Sequence, residues 1–206
     1  MIKYCALILL PIFYFSMSWF FPWEKIQFNS TISVSYLFDL LVIFVGTLLL
    51  KKENINIGKT KLKPLALKIF VIMIFAFMTI IFSKWVGFNA PFKYIELLII
   101  QLLILAPIIE ELIFRGIFFT FAQRLKLKLH VNIFFNAILF SLSHLPAIWI
   151  LPKEFHSFIL FQLFYTFFLG WICAKSRHQT KGILEPILLH LVFNSVFYFA
   201  IKSALI

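Results

Sequence analysis

Charge is scarce in this chain. Only 13% of its 206 residues are Asp, Glu, Lys or Arg, while 63% are hydrophobic and Phe alone occurs 29 times. Soluble domains average about 25% charged residues. Too little polar surface is present to cover a water-soluble globule, which leaves a polytopic membrane protein. Cysteine is scarce too. Cys5 and Cys173 form neither a CxxC pair nor a metal-ligand spacing, and both fall near the cytoplasmic face of the topology below, so free thiols are expected. Internal repeats, low-complexity tracts and linkers are missing, so all 206 residues are expected to form one helical bundle.

What fills the chain is a series of apolar stretches of about 20 residues, the length that crosses a hydrocarbon core of about 30 Å. They predict seven spans, near 4–23, 31–50, 65–86, 94–121, 131–151, 155–174 and 183–204. The first could pass for a signal peptide. It lacks a small-x-small cleavage site and ends in the bulky Phe20–Trp23, so a retained span is expected. Only Pro152, Lys153 and Glu154 separate the fifth and sixth spans, which makes them antiparallel neighbours. Pro107 should bend or break the fourth, because it removes a helix hydrogen bond.

The net charge of +11 lies between the spans rather than along one stripe, so it reads as topology and not as a nucleic-acid footprint. Lys51, Lys52, Lys59, Lys61 and Lys63, then Arg124, Lys126 and Lys128, then Lys175, Arg177 and Lys181 mark one side. The alternate loops carry only Lys25, Lys84, Lys93 and Lys153. The positive-inside rule then places the N-terminus in the cytoplasm and the C-terminus outside a cell membrane. Trp19, Trp23, Trp85 and Trp149 fall at outer ends and Trp171 at an inner end, as in an aromatic belt.

Against this background two adjacent carboxylates stand out: Glu110 and Glu111, inside the apolar run Leu97–Thr120, with Arg115 one turn later. An ionised group at the membrane centre costs several kcal/mol, roughly, on contested scales. Residues four apart share a helix face, so Glu111 can pair with Arg115, while Glu110 points about 100° away and stays available. An unpaired carboxylate in an apolar site suits general acid–base work near neutrality. An ion pair that merely locks two helices is the structural alternative.

Two later spans add polar groups in the same spacing. Phe140 and His144 lie four apart in the fifth span, and His190 and Asn194 four apart in the seventh. A buried histidine alone is more often a helix-bridging residue. Three spans that each bring polar groups to a similar depth can satisfy them only by converging. Glu110 and His144 could hold and deprotonate a water, and His190 and Asn194 could donate to a developing oxyanion. With no nucleophilic Ser or Cys among the parts, that describes amide hydrolysis by activated water. Zinc at Glu110, His144 and His190 is the competing reading, although no H-E-x-x-H run is present.

Together, Glu110-Glu111-x-x-x-Arg115, Phe140-x-x-x-His144 and His190-x-x-x-Asn194 resemble the three motifs of the CAAX-protease and bacteriocin-processing (Abi, CPBP) family of intramembrane endopeptidases, over roughly residues 95–200. The resemblance implies an all-α transmembrane bundle with a polar catalytic cavity. It divides the chain into three added helices, 1–90, and a protease core of four, 91–206. It implies that Glu110 activates water with His144, that His190 and Asn194 hold the oxyanion, and that Glu111, Arg115 and Phe140 shape the site. No cofactor is needed on that mechanism. The partner would be a membrane-associated peptide or protein, as in peptide maturation, in a prokaryotic membrane.

Two other function classes compete. A non-proteolytic immunity or scaffold protein could keep the motif for packing. An ion-coupled transporter would also carry intramembrane carboxylates, but matched broken helices in two halves are missing. Asp39, alone in the second span, is not expected to be catalytic. Glu185 should favour the start of the seventh helix as a carboxylate at a helix N-terminus, and His130, His156 and His178 should lie in surface loops.

Overall fold

The structure is a computed structural model, and it describes residues 2–21, 35–50, 55–91 and 100–203. Trp23, Lys25, Lys51, Lys52 and Lys93, the start of the fourth span and the side chains of Lys3 and Cys5 lie outside the described residues. The described chain is helical throughout, without strands. We number its helices α1 (Ile2–Phe20), α2 (Ser35–Leu50), α3 (Leu62–Val86), α4 (101–124), α5 (Leu129–Leu142), α6 (His156–Thr180) and α7 (Leu184–Lys202).

Four stretches, Leu62–Val86, Leu129–Ile150, Lys153–Thr180 and Leu184–Lys202, are long and apolar enough to cross a membrane. Their outer faces need lipid rather than water. On α3, Ile72, Ala76, Ile80 and Ser83 are buried, while Phe70, Ile74, Phe77, Met78 and Phe82 point outward. Such a face would be an aggregation patch on a soluble monomer. The chain is a multi-pass membrane protein.

Helix α4 is irregular, and its irregularities position the site. Pro107 has no N–H to donate. Immediately before it, Gln101–Leu105 forms a π-helical turn in which Ala106 N–H donates to the Gln101 carbonyl, five residues back. A regular α-helical segment, Ala106–Glu111, carries the two glutamates. A second π stretch, Leu112–Phe118, follows and closes with Phe119 N–H on the Phe114 carbonyl. Wide turns of this kind cluster at functional sites. Here other helices fasten them. Asn136 Nδ2 donates to the Phe114 carbonyl at 2.7 Å, Asn132 Nδ2 to the Phe119 carbonyl at 3.1 Å, and Arg177 Nε to the Arg115 carbonyl at 3.1 Å. Each side chain is buried, so each bond satisfies both partners away from water.

Helix α2 runs parallel to α4. Arg124, at the end of α4, donates to the Leu49 and Leu50 carbonyls at 3.3 and 2.8 Å. That satisfies carbonyls which the last turn of α2 leaves open. Further up, Gly46 sits against Ile117, whose Cδ1 would be 2.5 Å from a Cβ at position 46. Asp39 precedes Gly46 by seven residues and Glu110 precedes Ile117 by seven. The two carboxylates therefore reach similar depth.

Helices α5 and α6 form the expected antiparallel pair. Gly170 permits their approach: a Cβ there would lie 3.1 Å from Phe140 Cδ1 and 3.2 Å from Ala137 Cα. Two expectations change. The fifth span is not one helix, because α5 ends at Leu142, turns through 143–146 and resumes only as Ala147–Ile150. Pro146 disfavours helical geometry at the residue before it. The basic segment 174–182 is not a loop either. Helix α6 continues to Thr180, and Arg177 is buried within it.

A backbone clasp ties the start of α7 to the segment before α3. Lys59 N–H donates to the Thr180 carbonyl at 3.1 Å and Ile183 N–H to the Asn56 carbonyl at 2.9 Å. Gly58, at φ 83°, and Gly182 meet there backbone to backbone. Glu185 lies in the first turn of α7, as expected, but makes no capping hydrogen bond. It is buried in an ion pair with Lys68 of α3 and accepts a hydrogen bond from Ser176 Oγ at 2.7 Å. Burial makes pairing a stronger demand on that carboxylate than the helix end does.

Candidate active site

A cavity of about 220 Å³ opens between α4, α5, α6 and α7. Glu110, Phe140, His144, His190 and Asn194 all line it, so the structure brings the three polar spacings together. The neighbouring glutamates part company there. Glu110 is on the cavity and partly exposed, whereas Glu111 is fully buried behind it.

Glu111 is held from two sides. Its Oε1 accepts from Arg115 Nη1 at 2.9 Å and lies 3.0 Å from His190 Nδ1. Arg115 in turn donates through Nη2 to the Gly170 carbonyl at 3.0 Å, and its guanidinium lies 4.4 Å from the centre of the Phe140 ring. Phe140 also meets the His144 and His190 rings edge-on, at 5.3 and 5.6 Å between centroids. Glu111, Arg115 and Phe140 thus form the floor under both histidines.

These contacts assign ring nitrogens. A carboxylate paired with Arg115 only accepts, so the proton between it and His190 belongs to Nδ1. That leaves His190 Nε2 facing Glu110, at 3.9 Å from Oε2. His144 Nδ1 lies 3.0 Å from the Phe140 carbonyl, which likewise can only accept. His190 therefore presents Nε2 to Glu110, and His144, anchored through Nδ1, lines the same cavity. Glu110 Oε2 has no hydrogen-bond partner among the described residues. His144 reaches this position from the turn that ends α5, not from inside a helix.

Glu110, His144 and His190 do not gather into a metal-holding group among the described residues. No step is assigned to zinc on this geometry.

Two groups escaped the sequence reading. Gln162 of α6 lines the cavity, as do the apolar Tyr165, Leu169, Phe193, Phe197 and Ile201. A lone glutamine in an apolar span is a signal of the same kind as the glutamates, but it has no patterned partner. Asp39, set aside on sequence, lies close enough to Glu110 to interact with it electrostatically, as do Tyr14 and Tyr36. The first two helices thus belong to the surroundings of Glu110. Of the remaining histidines, His130 and His178 are exposed, within α5 and α6 rather than in loops. His156 begins α6 with its Nε2 3.2 Å from the Leu151 carbonyl. Cys173 is a free, buried thiol.

A family model described as Rce1-like, type II CAAX prenyl endopeptidase, matches residues 91–196, just over half of the chain. No curated protein and no solved structure matches.

Proposed function

The chain belongs to the Rce1-like family of type II CAAX prenyl endopeptidases, and from that premise we propose that it cuts membrane-associated peptides with a water activated by Glu110. The observation that carries this reading is the buried Glu110 Oε2, without a hydrogen-bond partner among the described residues, faced by His190 Nε2 at 3.9 Å on a cavity that His144 also lines. Family membership supports a CAAX-protease type of peptide hydrolase in a membrane; the residue roles are our reading of the geometry.

In this mechanism Glu110, with His144, takes a proton from a water bound in the cavity. The oxygen attacks the scissile carbonyl. Asn194 and His190 donate to the oxyanion that forms, the interaction that usually contributes most in acyl transfer. Since His190 Nδ1–H is spent on Glu111, Nε2 can donate only when the ring is doubly protonated. Collapse breaks the C–N bond, and the proton held by Glu110 passes to the leaving amine. Glu111, Arg115 and Phe140 touch no substrate; they hold His190 and His144 in place. The substrate is a peptide or protein tail at the bilayer, and the four helices from residue 91 onward form the proteolytic core. We place the N-terminus in the cytoplasm, following the basic loops.

The test is comparative proteomics of membranes from cells expressing wild type or Glu110→Gln at equal levels. New peptide ends that depend on Glu110 are expected. Their absence, with the variant still complementing a deletion, would favour the immunity or scaffold reading. Activity that persists in protein free of stoichiometric zinc after strong chelation is expected for the water mechanism. Loss on chelation and return with zinc would refute it.

A further inference from the structure

We propose that Gln162 is a substrate-positioning residue whose side-chain amide hydrogen-bonds the peptide backbone beside the scissile bond. The inference rests on the proteolytic reading above and extends it to a residue outside the three motifs.

Depth is the first observation. Ser141 Oγ of α5 donates to the Leu163 carbonyl of α6 at 2.6 Å, which sets residues 162–163 level with Ser141, one turn from His144. Gln162 then lines the same cavity as Glu110, His144, His190 and Asn194.

The second observation is a contrast in hydrogen bonding. Two polar side chains near it on α5 and α6 use protein partners: Ser143 donates to the Phe140 carbonyl at 2.7 Å and Thr166 to the Gln162 carbonyl at 2.7 Å. The Gln162 backbone is thereby used, but its side-chain amide has no protein partner among the described residues. Gln162 is only partly buried, so its amide is open to the cavity rather than sealed in a helix contact.

Chemistry says what it would take. A carboxamide offers donors and an acceptor together, the complement of the C=O and N–H groups along an extended peptide. Asn194 is the other carboxamide on the cavity and is assigned to the oxyanion, while Glu110 only accepts and each histidine has one ring nitrogen already bonded away from the cavity. The cavity wall beyond Gln162 is Tyr165, Leu169, Phe193 and Phe197, which suits an apolar side chain of the substrate. Gln162 would hold the backbone while that wall takes the side chain.

The probe is an internally quenched, farnesylated CAAX peptide, presented to the full-length protein in nanodiscs. Gln162→Met keeps the length of the side chain and removes its hydrogen bonds. We expect a rise in KM of about tenfold, the scale of one well-made hydrogen bond to a bound ligand, with kcat within a few-fold of wild type. A series of peptides with one backbone amide replaced by an ester identifies the contact. The penalty for one flanking ester should vanish in Gln162→Met. Binding of the same peptide to inactive protein keeps two failures apart. Cleavage that survives Glu110→Gln overturns the proteolytic mechanism. Equal affinity in Glu110→Gln and Glu110→Gln/Gln162→Met, or an ester penalty unchanged by Gln162→Met, overturns the role of Gln162. A loss confined to kcat overturns it as well.

Discussion

Arg115→Met is the sharpest probe of the site's foundation. Methionine fills much of the arginine's volume but carries no charge. The substitution removes the 2.9 Å bond to Glu111, the 3.0 Å bond to the Gly170 carbonyl and the cation beneath Phe140. Neither Glu111 nor Arg115 has any exposed surface, so water cannot take over. Polar bonds deleted in a membrane interior cost about 0.6 kcal/mol on average, because the unfolded chain also finds partners there. An orphaned buried charge costs more, about 3–5 kcal/mol. Glu111 keeps His190 as a partner, so we expect the lower end, about 3 kcal/mol. The diagnostic variant is Arg115→Met/Glu111→Gln, in which no charge is stranded. It should recover about 2 kcal/mol relative to Arg115→Met, because the stranded charge is gone. Arg115→Lys should fall between, since an ammonium can pair with Glu111 but cannot reproduce the planar fork that also reaches Gly170. Reversible unfolding in mixed micelles titrated with SDS measures all four proteins. A cost below about 1 kcal/mol for Arg115→Met, or a double variant no more stable than the single, would refute the account.

Two further outcomes follow from the geometry. Gly182→Ala places a Cβ within 2.0 Å of the Ile57 carbonyl oxygen and 2.2 Å of Gly58 Cα. Backbone cannot yield as a side-chain tip can, so a loss of about 2–3 kcal/mol is expected in the same titration; an unchanged midpoint would show that the clasp is not formed. His190→Gln should lower kcat/KM by about tenfold or more, because the ring that bonds Glu111 and reaches toward Glu110 is lost; an unchanged kcat/KM would move the oxyanion contact elsewhere.

Much of the site was legible in the spacing. Four-residue intervals put Glu111 with Arg115, Phe140 with His144 and His190 with Asn194, because α-helical geometry repeats locally. The ion pair of Glu185 and the burial of Arg177 within a helix were missed for a common reason. Their partners, Lys68 and the Arg115 carbonyl, are 117 and 62 residues away, and no local rule points to them. The break in the fifth span was signalled by Pro146, yet hydropathy ran on across it. The π turns of α4 were foreshadowed only as a bend at Pro107. Their fastening depends on Asn132, Asn136 and Arg177 arriving from other helices.

Composition and the length of the apolar runs determined that this is a helical membrane protein, since a bilayer leaves a chain few other ways to satisfy its backbone. The order of three short polar spacings determined the family. Tertiary structure alone decided which glutamate faces the cavity and which lies beneath it. It also decided which nitrogen of each histidine is free, and that Gln162 and Asp39 stand near Glu110. Those are relations between helices, set by how wide turns and close glycine contacts rotate one helix against another, and a one-dimensional pattern does not contain that rotation.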